Sequence, residues 1–316
     1  MHDRPSRIRV LAAFAAIYII WGSTYLAIRI AIDTIPPFLM AGMRFVIAGT
    51  ALYAWARARG AAAPERRHWL GAGAIGLLLL AGGNGGVVWA EQRVPTGLAA
   101  LLVAMVPVWT VLVDWLRPGG ERPRGRVILG LLVGFAGVIL LIAPGHIAGG
   151  THVNPLGALA LMAGSLSWSI GSVYSKRVTL PRSPQLATAM EMLVGGAGLL
   201  VGGSLAGELG RVHPSAISGR SVLAVLYLIV FGSLIAFSAF VWLLRVSTPA
   251  RVSTYAYVNP AVAVLLGWGF ANEPLTPRTL VAAAIIVAAV VLITSAAPGR
   301  PVPRPKQASA PEPARR

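Results

Sequence analysis

Apolar residues in this chain come in long unbroken runs, without the period-two alternation of a half-buried strand or the one-sided stripe of a surface helix. No Asp, Glu, Lys or Arg occurs within residues 10–28, 68–90, 94–113, 127–175, 221–244, 252–272 or 279–299. A helix rises about 1.5 Å per residue, so about 20 apolar residues cross the roughly 30 Å of bilayer hydrocarbon. Run 127–175 is too long for one crossing and holds Pro144-Gly145 and Asn154-Pro155, so it divides at a polar turn. The pattern predicts an all-α membrane protein with ten transmembrane helices, at 10–31, 36–57, 69–90, 95–116, 125–143, 154–174, 184–205, 221–243, 249–270 and 278–296. The roughly ten-residue alternating segments of a membrane β-barrel are not found.

Composition agrees with the pattern. The chain is 56% hydrophobic and 12% charged, against roughly 25% charged in a soluble domain. The net charge of +17 would suggest nucleic acid in a soluble protein. Here the arginines sit in short segments beside the apolar runs, so the expected partner is the lipid bilayer and not nucleic acid. With the N-terminus inside, the basic groups Arg4, Arg7 and Arg9; Arg57, Arg59, Arg66 and Arg67; Arg117, Arg122, Arg124 and Arg126; Lys176, Arg177 and Arg182; and Arg245 and Arg251 all fall on the cytoplasmic side. The opposite side holds only Arg29, Arg93, Arg211, Arg220 and Arg278. This asymmetry predicts a multi-pass protein of the bacterial inner membrane with both termini cytoplasmic. The first run has a basic flank but is too long for a signal-peptide core, so it is expected to stay as an uncleaved helix. Residues 1–9 form a cytoplasmic tail, and 298–316 a disordered, basic, Pro-rich one.

The two halves repeat each other. At one constant offset Trp21 matches Trp168, Arg29 matches Lys176, Pro37 matches Pro184, Arg44 matches Glu191 and Gly49 matches Gly196. Pro95 and Pro107 later match Pro249 and Pro260. Five helices per copy is an odd number, so the expected domains are a first repeat at 10–143 and a second, inverted repeat at 154–296. Two related halves able to exchange inward-open and outward-open shapes are a transporter architecture.

Trp21-Gly22-Ser23-Thr24-Tyr25, then Arg29 and Ala41-Gly42-Met43-Arg44-Phe45, carry a family resemblance. So do Gly82-Gly83-Asn84-Gly85, Ala90-Glu91-Gln92, Val94-Pro95-Thr96-Gly97, Gly164-Ser165-Leu166-Ser167-Trp168 and Ser253-Thr254-Tyr255-Ala256-Tyr257-Val258-Asn259-Pro260. Together, in this order over residues 10–296, they resemble the EamA-type branch of the drug/metabolite transporter superfamily, the YedA-like inner-membrane transporters in particular. The resemblance implies a ten-helix basket of two repeats around a central cavity, exporting metabolites or drugs by secondary transport. It names no substrate. The alternative class is a non-transporting membrane receptor or assembly factor.

Within the runs, the polar residues mark the candidate cavity. Arg44 lies about two turns into its span with no acid near it in sequence, so it must face the bundle or water. It either holds an anionic substrate group or a structural carboxylate. Glu191, its counterpart, is either a proton-coupling carboxyl or a structural partner, with Arg44 as one option. Asn84 and Glu91 share a helix face. Tyr18, Trp21, Tyr25 and Arg29 form a stripe, echoed by Ser165, Trp168, Ser172 and Lys176; each stripe is either helix packing or cavity wall. Tyr255 and Asn259 lie one turn apart, and Pro107 and Pro260 are expected to bend their helices. A small-molecule substrate is the expected partner, with a coupling proton and a homodimer left open. Neither cofactor nor metal is expected, since the chain has no cysteine and its histidines show no ligand spacing. No enzyme-like constellation or ATP-binding loop is present, so an enzyme is not expected.

Overall fold

The structure is a computed structural model that describes residues 6–120, 122–123, 125–142, 154–247, 252 and 254–295. The expected tail at 298–316 and the turn between the halves lie outside these residues. The described chain is helical: α1 (Arg7–Ala31), α2 (Pro37–Ala58), α3 (Arg66–Ala90), α4 (Thr96–Leu116), α5 (Gly125–Ile142), α6 (Pro155–Tyr174), α7 (Pro184–Leu205), α8 (Gly219–Val246), α9 (Tyr255–Ala271) and α10 (Pro277–Ser295). Large apolar side chains such as Leu132, Ile139, Leu223 and Phe270 stand exposed around the bundle, as a hydrocarbon solvent requires.

The expectation of ten transmembrane helices needs correction. Among the described residues, 7 helices are long and apolar enough to cross a membrane: α1, α2, α3, α4, α6, α7 and α8. Within the spans expected at 125–143, 249–270 and 278–296 the described residues hold shorter apolar stretches of α5, α9 and α10, Gly125–Leu140, Val258–Ala271 and Pro277–Leu292. At α9 the charge-free run is longer than the helix. The run that opens at Val252 starts before its helix does, since Thr254 is the N-cap of α9.

Helix ends in lipid must satisfy their own backbone groups. Asn154, Ser183 and Ser218 cap α6, α7 and α8, each accepting a backbone N–H one turn on. Two other starts borrow a distant carboxylate. Glu208, just past α7, accepts from the amides of Phe38 (3.3 Å) and Leu39 (2.9 Å) at the start of α2. Glu273, between α9 and α10, accepts from Thr96 (2.6 Å) and Gly97 (3.0 Å) at the start of α4.

These ties define the two ends of the bundle. One end gathers Asp33, Glu91, Glu208 and Glu273 with the loops around them; there Ser221 on α8 also donates to the Ile30 carbonyl of α1 (2.9 Å). At the other end Ala56 of α2, Ala72 of α3 and Leu186 and Met190 of α7 pack together with Leu180 and Trp69. This second end carries Arg57, Arg59, Arg66, Arg67, Lys176, Arg177 and Arg182, and Arg245 donates to the carbonyl of Arg182. It is the basic end.

Packing pairs helices across the halves. α2 lies antiparallel along α7, and α5 along α10; α1 packs on α8 and α9, α6 on α3 and α4. Each pairing keeps its form when the halves are exchanged. The α2–α7 approach is so close that a Cβ on Gly42 would stand 2.9 Å from the Gly196 carbonyl oxygen, and one on Gly196 3.0 Å from that of Gly42. Both α3 and α8 contain a π-helical segment, Leu77–Asn84 and Leu228–Phe237, in corresponding places. Such widened turns misalign the hydrogen-bond ladder and are common at functional sites.

Candidate functional site

The two π segments face each other across a cavity of about 80 Å³. Its wall takes Trp21, Thr24 and Tyr25 from α1, Arg44 and Phe45 from α2, and Gly83 and Asn84 from α3. The other half supplies Ser165 and Trp168 from α6, Gly232 and Phe237 from α8, and Tyr255 and Asn259 from α9. Aromatic rings close one side. Trp21 meets Trp168 edge-on at 5.6 Å between centroids, Tyr255 at 5.2 Å and Phe240 at 5.0 Å; Trp168 meets Phe240 at 5.4 Å.

Among the described residues Arg44 is the one charge on this wall. It is 4% exposed, and its Nε donates to Ser233 Oγ at 2.9 Å, on the π segment of α8. Its guanidinium carbon sits 4.3 Å from the centre of the Phe45 ring. Among the described residues its Nη1 has no hydrogen-bond partner, and neither do Asn84 Oδ1 and Ser165 Oγ. Three buried polar atoms from three helices therefore line one aromatic chamber with unused hydrogen-bonding capacity.

A second cavity, about 430 Å³, opens at the basic end. Glu191, Lys176 and Arg245 share its wall with Ile75, Leu79, Val241 and Leu244. Phe237 and Phe240 precede Val241 and Leu244 along α8, so the ring cluster sits between the two chambers.

The structure thus brings Trp21, Tyr25, Arg44, Asn84, Trp168, Tyr255 and Asn259 to one chamber. It leaves four other candidates off that wall. Tyr18 bonds Thr254 Oγ1 at 2.5 Å, tying α1 to the start of α9. Ser172 donates to the carbonyl of Trp168 in its own helix. Glu191 lines the second cavity, and Glu91 lies beyond the end of α3. Arg44 and Glu191 do not meet: the first is engaged with Ser233, and the cation that acts on the second is Arg245. Asn259 places its side-chain amide against the Tyr18 carbonyl of α1, and with the amide oxygen and nitrogen exchanged the nitrogen donates to it at 2.9 Å, a tie between α9 and α1. Pro107 stands at the start of the second segment of α4, after an interruption at Ala104–Met105, and Pro260 lies inside α9.

Thr24, Phe45, Ser233, Phe237 and Phe240 were not legible as site residues.

Comparison with known proteins decides the class. The EamA-like transporter family matches at residues 8–143 and 155–295. The chain belongs to the EamA-like transporter family. It is 46% identical over 300 residues to the inner membrane transporter YedA of Escherichia coli (strain K12), covering 94% of this chain and 95% of that protein. It is 26% identical over 290 residues to the transporter YvbV of Bacillus subtilis (strain 168), covering 92% of each. A solved crystal structure with 26% identity superposes with a TM-score of 0.64, over 91% of this chain and 96% of that one. The chain is accordingly a helical, multi-pass transporter of small molecules in a bacterial inner membrane, of the YedA type.

Proposed function

We propose that this EamA-like transporter is a secondary exporter working by alternating access, with the chamber between the two π segments as its substrate site. The observation that carries this reading is the set of unpaired atoms Arg44 Nη1, Asn84 Oδ1 and Ser165 Oγ on an aromatic wall built from both halves. Such a wall suits a small solute with a flat or branched apolar body and an anionic group directed at Arg44. The two halves act as repeats, 10–143 and 154–296. The pairings of α2 with α7 and of α5 with α10 support this, as do the corresponding π segments. The basic end faces the cytoplasm with both termini, in keeping with the positive-inside rule. The larger cavity at that end then serves as the entry vestibule, and the ring cluster of Trp21, Trp168, Phe237, Phe240 and Tyr255 as the barrier between vestibule and site.

The test is to compare compounds released by cells with and without the gene, then to reconstitute the purified protein in liposomes with each compound that differs. Saturable counterflow that Arg44→Ala weakens in affinity is expected. Binding of a compound without any flux would overturn the reading in favour of a receptor.

A further inference from the structure

Glu91 is the C-cap of α3 and is 1% exposed, yet among the described residues neither of its carboxylate oxygens has a hydrogen-bond partner. Asn84, Val87 and Glu91 follow at steps of three and four, so the carboxyl continues the face of α3 that lines the substrate chamber, one turn beyond Val87. The groups around it withhold compensation. Arg29 of α1 sends Nη1 to the backbone carbonyl of Glu91 at 3.2 Å, and its Nη2 stands 4.0 Å from the Asp33 carboxylate. The Glu273 carboxylate is committed to the α4 amides and faces Glu91 as a like charge. Tyr25 of α1 borders both the chamber and Glu91. Arg93, on the same segment, is stacked over Trp89 at 4.2 Å. The Thr96 hydroxyl, also buried, has no partner either. Arg44 of α2 is the remaining charge on the adjoining wall, and it is engaged with Ser233.

An ionised carboxylate cannot stay in such a place without a donor or a cation. Burial, followed by the Glu273 charge, pushes the Glu91 carboxyl well above the usual carboxylate range, and Arg29 pulls it back only in part. Two ties fasten this end, Glu208 to the start of α2 and Glu273 to the start of α4. Parting the second would bring water to Glu91 and remove the reason for its neutrality.

We propose that Glu91 is a proton-binding site that controls the end of the transporter opposite the basic one: this end closes with Glu91 protonated and opens with its carboxylate free. The proposal rests on the alternating-access reading and adds the ligand, a single proton, that is exchanged with each closure. The sign follows from linkage. The closed form binds the proton more tightly than the open form, so closure is favoured at low pH. It is lost as pH rises from the open-form pKa through the closed-form pKa, by about tenfold in the closed-to-open ratio per pH unit between them.

The chain has no cysteine, so an introduced one is a clean reporter. Val94 is 2% exposed at this end and belongs to none of the polar contacts above. Val94→Cys would be labelled with a membrane-impermeant maleimide across a pH series. Each rate would be divided by that of the exposed Arg211→Cys, to remove the intrinsic pH dependence of the thiol. The normalised rate should climb with pH in the parent and stay low and flat in Glu91→Gln, which mimics the protonated acid. Glu91→Asp, which keeps a carboxyl, should restore the climb and covers the case in which the glutamine variant fails to fold. A parent that is flat with pH, or a glutamine variant that climbs as steeply as the parent, overturns the proposal. So does a response to sodium at constant pH, which would make the ligand a metal cation. Labelling requires no substrate, so a pH-responsive chain that moves no solute would sink the transport reading while leaving the proton site intact.

Discussion

Arg44 and Glu191 occupy matching places in the two halves, and an ion pair between them would give each a large share of its stability. Removing one member of a buried pair strands the other, at about 3–5 kcal/mol. The structure leads to a different expectation. Arg44→Ala removes one charge-assisted hydrogen bond, to Ser233 Oγ at 2.9 Å, a loss of about 1.5–3 kcal/mol. It also removes an arginine buried to 4% exposure with no carboxylate within ion-pair distance among the described residues. Leaving that charge out of the membrane interior regains about 2.5 kcal/mol. The two effects nearly cancel, so Arg44→Ala should melt within about 1 kcal/mol of the parent while losing substrate affinity. Glu191→Gln should likewise fold. Because the two side chains line different cavities and share no partner, the double variant should be additive to within about 0.5 kcal/mol. Thermal melting of the parent, both single variants and the double variant in one detergent closes the cycle, with membrane abundance as a second measure. Two strongly destabilised singles and a recovered double variant would refute the separation of the two residues.

Other perturbations test the frame around the site. Glu208→Ala leaves the amides of Phe38 and Leu39 without an acceptor and should cost about 2–3 kcal/mol by melting, with Glu208→Gln losing less. A Cβ on Gly76 would run into the backbone carbonyl of Glu191. Gly76→Val should therefore force α3 from α7 and lower the yield of folded protein, whereas Gly202→Ala, with open space around it, should be silent. Cysteines placed at Ala62 and Arg182 should resist an impermeant maleimide in intact cells, and those at Asp33 and Arg211 should react; the reverse result would invert the assigned orientation.

Much of the frame could be read from residues alone, because the transfer of apolar side chains into hydrocarbon is local and roughly additive. The run at 184–205 coincides with α7, and Pro37, Pro155 and Pro184 stand at the first helical positions, where a missing N–H costs nothing. At α5, α9 and α10 the same count placed spans where the described apolar stretches are shorter, Gly125–Leu140, Val258–Ala271 and Pro277–Leu292.

What lay beyond the sequence was every relation between helices distant along the chain. Which polar groups share a chamber depends on the rotation and depth at which α1, α2, α3, α6, α8 and α9 pack, and no local spacing contains those quantities. The pseudo-equivalence of Arg44 and Glu191 could be seen in the sequence; their separation into two cavities could not. The π segments that shape the chamber arise where the hydrogen-bond ladders of α3 and α8 widen, at Leu77–Asn84 and Leu228–Phe237. The capping of α2 by Glu208 and of α4 by Glu273 joins residues far apart in the chain. Hydrophobic length is written residue by residue, but electrostatic partnership is decided only when the folded bundle sets which charges are close and which stay alone.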